Sequence, residues 1–143
     1  ISGQKMFHSG AGQVALHETL RLTAEKISRK LRFAESVTLL EADWDPENVL
    51  EEDYRYIYYD GDSRRVMLLE PPGRPQPLSD DLVSALTFTA EGPLLLFTLQ
   101  GERRSDNFTL DSSVQPLNLS GSIGGAQSAQ ALRFALPEES TGG

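Results

Sequence analysis

Two histidines, a short glycine run and two clusters of acids are the residues whose types and spacing invite chemistry. His8 and His17 stand nine residues apart, whereas a helical zinc pair of the H-E-x-x-H kind needs its imidazoles one turn apart. Neither histidine has a Ser and Asp set beside it from which a nucleophilic triad could be composed, so each reads as a surface side chain. Gly10-Ala11-Gly12-Gln13-Val14-Ala15 has G-x-G-x-x-A spacing. A dinucleotide site needs a buried strand before those glycines, and Ile1 to Ser9 does not supply one. Asp43, Asp45 and Glu47 fit the first three acidic positions of a calcium loop, but Asn48 stands where the turn glycine belongs and Tyr54 where the closing Glu belongs. A calcium loop of another kind, there or at Asp60 and Asp62, remains open beside the simpler reading of a solvated acidic loop. Asn107-Phe108-Thr109 and Asn118-Leu119-Ser120 match the glycosylation triplet, which carries meaning only in a eukaryotic secreted chain. With no cysteine, a disulfide framework, a thiolate metal site and a cysteine nucleophile are all excluded.

The elements that would hold these residues fall into two blocks. Leu16, Leu20, Ala24, Ile27, Leu31 and Ala34 form one apolar stripe at helical period, with good helix formers between them and no Pro before Pro46. They predict a helix over about 10–35. Lys26, Arg29, Lys30 and Arg32 crowd its last turns, where the helix dipole favours cations. Beyond it, Val37 to Leu40 reads as a short strand, and residues 41–53 carry seven acids and no base around Trp44 and Pro46. Pro46 followed by acids suits one helical turn. Tyr54-Arg55-Tyr56-Ile57-Tyr58-Tyr59, the turn Asp60-Gly61-Asp62-Ser63 and Arg64 to Leu69 predict a β-hairpin. Alternation places Tyr54, Tyr56 and Tyr58 on one face and Arg55, Ile57 and Tyr59 on the other. Strands are expected at Leu82–Thr89, Leu94–Leu99, within 108–119 and at Ala131–Leu136, with a polar loop over 101–107 and a mobile Gly/Ser/Gln-rich stretch over 120–130. A helix followed by consecutive strands implies an α+β domain, the helix laid on an antiparallel sheet over about 36–136.

Composition sets the limits. The chain has 143 residues, 38% apolar and 24% charged, enough for one domain with a modest core. Thirteen Lys+Arg against 21 Asp+Glu leave a net charge of −8, which argues against a dedicated nucleic-acid binder. The charge is unevenly placed: Arg21 to Arg32 carries five bases and one acid, and Glu41 to Asp53 only acids. No apolar run is long enough to span a membrane. The polar, Gly-ended tail from Pro137 is expected to fray.

Leu20 to Ala34, the Tyr54–Leu69 hairpin, and Leu82–Phe88 followed by Leu94–Leu99, in that order and spacing, resemble the soluble part of a type IV pilin-like minor subunit. That means a minor pilin or minor pseudopilin of bacterial pili, type II secretion or competence filaments. The likeness runs from about Gln13 to Leu119. It implies a single pilin-like domain over 1–143, with a long helix packed on an antiparallel sheet. It further implies an apolar half-helix preceding Ile1, which anchors the subunit in the bacterial inner membrane and leaves this domain outside, in the periplasm or at the cell surface.

The implied role is structural, with other pilin or pseudopilin subunits as partners and no catalysis, cofactor, metal, nucleic acid or small-molecule substrate. Arg21, Glu25, Arg29 and Arg32 on the helix, and Asp43, Asp45 and Glu51 in the acidic loop, are the expected subunit contacts, since a basic helix end would complement an acidic loop on the next subunit. The alternative is an extracytoplasmic ligand-binding or adhesive module that uses Tyr54, Tyr56 and Tyr58, because tyrosines make large, rigid contacts.

Overall fold

The computed structural model describes residues 2–48, 54–71, 73–119 and 121–137, with side chains of the first stretch described over 16–47. Helix α1 spans Ser2–Leu31. Its stripe is buried as the periodicity predicts: Leu16, Leu20, Ile27 and Leu31 are sealed from solvent and Ala24 nearly so. Thr23 is the one fully buried polar side chain among the described residues of the helix, and its hydroxyl donates to the Thr19 carbonyl at 2.8 Å, which satisfies it within the helix. Packing is shown for Leu16–Leu31, about four turns. Side-chain packing of the expected long helix against the sheets is thus described for this part alone. The helix stops before Glu35: Ala34 N–H donates to Leu31 O, and Ala34 is buried beyond the last turn.

The strands are β1 Ser36–Leu39, β2 Arg55–Asp60, β3 Arg65–Leu69, β4 Gln76–Pro77, β5 Val83–Glu91, β6 Leu94–Arg103, β7 Asp106–Val114, β8 Gly124–Gly125, β9 Ser128–Ala129 and β10 Ala131–Ala135, with a 3₁₀ turn at Pro46–Asn48. They make two sheets where the pattern predicts one. The first has the order β4-β3-β2-β10-β1-β8, the second β7-β6-β5-β9, and every pairing is antiparallel except β1 with β8. The sheets part between β4 and β5, which do not pair, and the order within the first sheet also departs from the pattern. Strands β1 and β2 do not pair with each other; β10 returns from the far end of the chain and fills the gap between them, Leu132 lying opposite both Leu39 and Ile57. Local alternation carries no trace of such a long-range pairing.

The β2–β3 hairpin forms around Asp60. Its carboxylate accepts from Asp62 N–H and the Ser63 hydroxyl, and Arg64, at φ 60°, takes the left-handed position. The polar loop expected over 101–107 is instead a tight hairpin: β6 and β7 pair out to Arg103 and Asp106, with Arg104 at φ 57° in the turn. The stretch 120–130 supplies β8 and β9.

One core joins the helix stripe to both sheets. Ile57, Val66, Leu68, Leu132 and Phe134 face it from the first sheet, and Phe88, Phe97, Leu95 and Leu99 from the second. Each such side chain contributes about 1.5–3 kcal/mol by leaving water. Helix α1 lies mainly against β6 and β7. Gly101 of β6 sits directly beneath it, where a β-carbon would come within 2.7 Å of the Leu16 side chain. The other face of the first sheet carries a second, smaller apolar cluster.

Candidate functional site

Two charged surfaces and one pocket are candidates. The first surface is the helix. Arg21, Glu25, Arg29 and Arg32 follow one another by a turn or less and are all exposed, beside the buried stripe rather than within it. Arg21 pairs with Glu18 at 2.8 Å, and that hydrogen bond and charge hold its guanidinium above the usual arginine value. Lys30 turns instead toward Glu70, at 3.8 Å, where Arg55 also binds at 3.2 Å, so one carboxylate ties the helix end to the hairpin. Arg29 and Arg32 stand at the negative end of the helix dipole. Phe33 and Leu117, exposed at 54% and 65%, sit at this same end. The crossing segment is fastened there by Leu117 N–H on Arg32 O at 2.7 Å and by Asn118 Nδ2 on Phe33 O at 2.9 Å. Neither apolar residue was flagged by periodicity, because both lie outside regular elements.

The second surface is the acidic loop after β1. Trp44 N–H donates to Glu41 O at 3.0 Å and closes a turn; Asp45 Oδ1 then accepts from Glu47 N–H at 2.9 Å and caps the 3₁₀ turn. Asp43 and Asp45 are exposed, while Glu51 lies outside the described residues. Among the described residues, no group of His, Asp or Glu converges as metal ligands would.

The pocket lies where this loop crosses the sheet. Tyr56 and Tyr58 point away from the main core, as alternation predicts, and form a cluster with Leu69 and Ala131. Trp44 covers it. The indole stacks on Tyr56 at 5.3 Å between centroids and 16° between planes, and meets Tyr58 at 5.3 Å and 64°. Tyr56 is thus 3% and Tyr58 7% exposed; Tyr54 is half-buried, with the Arg133 guanidinium 4.4 Å from its ring centre. Burial, helped by the charge of Asp60, raises the Tyr58 pKa. Tyr59 faces the other way, donates to Val83 O at 2.7 Å, and is also raised, chiefly by burial. A pocket of about 420 Å³ opens beside Trp44 and Tyr58, with Glu41, Thr87, Ser128 and Gln130 around it. The last three come from β5 and the segment at β9, elements that no local pattern connects to Trp44. The signal available in the sequence was the single Trp set among acids.

The remaining motifs resolve simply. Gly10 to Ala15 lies inside α1 rather than at a strand-to-helix turn. His17 packs edge-on against Phe108 at 4.4 Å. Asn107 is exposed on β7, and Asn118 is held by its bond to Phe33 O. Among the described residues no helix is long and apolar enough to cross a membrane.

No family model matches the sequence, and no curated protein matches it. Solved structures do. The chain is similar to the PilB minor pilin from Streptococcus sanguinis, with a TM-score of 0.65 at 14% identity over 90% of this chain. It is likewise similar to the D319A mutant of that pilin, with a TM-score of 0.63 at 16% identity over the same share. In both cases it spans 36% of the matched chain, about a third of its length. The fold is therefore minor-pilin-like.

Proposed function

We propose that this chain is the head domain of a minor pilin-type subunit, exposed outside the bacterial cytoplasm, which works by contacting other subunits of a type IV pilus, type II secretion or competence filament. The observation that carries this reading is the minor-pilin-like fold over 90% of the chain. In this reading an apolar segment outside the present sequence anchors the subunit in the inner membrane, and the domain itself performs no catalysis.

The charge layout supports the contact mechanism. Sheet β4-β3-β2-β10-β1-β8 turns one face to the core that holds α1 and the other to the Trp44 loop. Basic helix face and acidic loop thus belong to opposite sides of that sheet. Two unlike, complementary patches on one molecule favour head-to-tail contact, which propagates into filaments rather than closing into a symmetric pair. In the proposed contact Arg21, Glu25, Arg29 and Arg32 of one subunit, with Phe33 and Leu117 as apolar centre, meet Asp43, Asp45 and Glu51 of the next.

The test is made in the source bacterium with the full-length protein. Sheared filaments are immunoblotted for this domain in wild-type cells and in an Arg29→Glu, Arg32→Glu double variant. The expected result is the domain in the wild-type filament fraction, and loss of most of that signal in the variant at equal cellular abundance. Undiminished incorporation of the variant would overturn the contact, and absence of the wild-type domain from assembled filaments would overturn the subunit role.

A further inference from the structure

We propose that the pocket beside Trp44 binds a small organic ammonium ion, a function separate from filament assembly. Its walls are of two kinds. Trp44 and Tyr58 present aromatic rings set at 64° to each other, and π-faces attract cations when they are held in place. Here they are held: Tyr56 stacks on the same indole and fixes its plane. Tyr58, only 7% exposed, lines the pocket beside it.

The charge around the pocket selects the class of ligand. Glu41 lines it, and Asp43, Asp45 and Glu47 stand exposed on the same loop, while no Lys or Arg is among its described lining residues. An anion would meet the repulsion of the acids with no lining cation to offset it. A neutral polyol could use Thr87, Ser128 and Gln130 but would gain nothing from the acids. An ammonium ion uses both, with the charge between the rings and Glu41 and any hydroxyl on its tail at the neutral side chains. The volume of about 420 Å³ lies within the range of sites for small organic ligands.

Trp44 is the only tryptophan of the chain, so its fluorescence reports on this pocket alone. Choline chloride is titrated into the domain at constant chloride, beside its neutral isostere in which carbon replaces the ammonium nitrogen. The expected result is a saturable change in Trp44 emission with choline, and binding of the isostere at least about tenfold weaker. Glu41→Gln, at an exposed position that does not bear on folding, weakens choline by about fivefold, the value of one charge contact in water-like surroundings. Absence of a saturable change with choline, or equal binding of the isostere, would overturn the proposal. A Glu41→Gln variant that binds choline as tightly as wild type would remove the acid from it.

Discussion

Gly101→Ala is the substitution that most directly questions how the helix is seated. An alanine β-carbon at this position would lie 2.7 Å from Leu16 Cδ1 and 3.1 Å from both Leu20 methyls. Ordinary contacts between such carbons are about 3.5–4.0 Å, so the worst overlap is roughly 1 Å. Leu16 and Leu20 are both fully buried, which leaves the methyls no free space to enter. The helix must then lift from β6 or the leucines must leave their rotamers, at about 1–3 kcal/mol. Against this, alanine loses less chain entropy on folding than glycine, worth about 0.4–1 kcal/mol. The expected net loss is about 1–2 kcal/mol. In urea, with m near 2 kcal/mol per M, the unfolding midpoint falls by roughly 0.5–1 M. Leu16→Ala alone costs about 2–5 kcal/mol. On that background, Gly101→Ala should lose most of its cost, because the nearest methyl is gone, a coupling of about 1 kcal/mol. A Gly101→Ala protein as stable as wild type, or strict additivity with Leu16→Ala, would refute the close approach of helix and sheet on which the position of the basic face depends.

Two further outcomes follow from the same packing. Phe134→Ala, in the strand that closes the first sheet between β1 and β2, should cost about 3–5 kcal/mol, measured by urea unfolding; a loss below about 1 kcal/mol would mean that β10 is not central to the sheet. The Tyr58 pKa is raised in the folded chain, so the native state holds its proton where the unfolded state has lost it, and stability should decline as pH rises past about 10. Tyr58→Phe should flatten part of that decline in unfolding curves recorded between about pH 9 and about pH 11, and an unchanged slope would assign the effect elsewhere.

Legibility in the sequence followed the range of the interactions. The stripe Leu16 to Leu31 and the Tyr54–Leu69 hairpin depend on neighbours within a few residues, and their spacing carried the information. The two faces of β2 were readable for the same reason: Ile57 and Tyr59 go one way, Tyr56 and Tyr58 the other. What failed was non-local. Nothing in Ala131–Ala135 says that it lies between Ser36–Leu39 and Arg55–Asp60 rather than at an edge. The division into two sheets was equally hidden, since a chain of successive strands reads as one sheet and nothing local says that β4 and β5 do not pair. The pocket belongs to this class as well. Trp44 was visible as an isolated aromatic among acids, but its partners Thr87, Ser128 and Gln130 are more than forty residues away.

The two proposals share the acidic loop yet can be separated, because different atoms of it serve each. Trp44 is turned down onto Tyr56 and Tyr58, while Asp43 and Asp45 on either side of it remain exposed. The stacked indole thus anchors a loop whose carboxylates would otherwise repel one another, and it fixes where they stand. Subunit contact would draw on the outward carboxylates and on Arg29 and Arg32, at the end of α1 and just beyond it; ammonium binding would draw on Glu41 and the rings. Arg29→Glu with Arg32→Glu should therefore abolish filament incorporation and leave the choline response of Trp44 intact. Glu41→Gln should weaken the choline response and leave incorporation intact. If either variant disturbed both readouts in a protein that still folds, pocket and contact would be one site, and the loop would have to be treated as a single coupled surface.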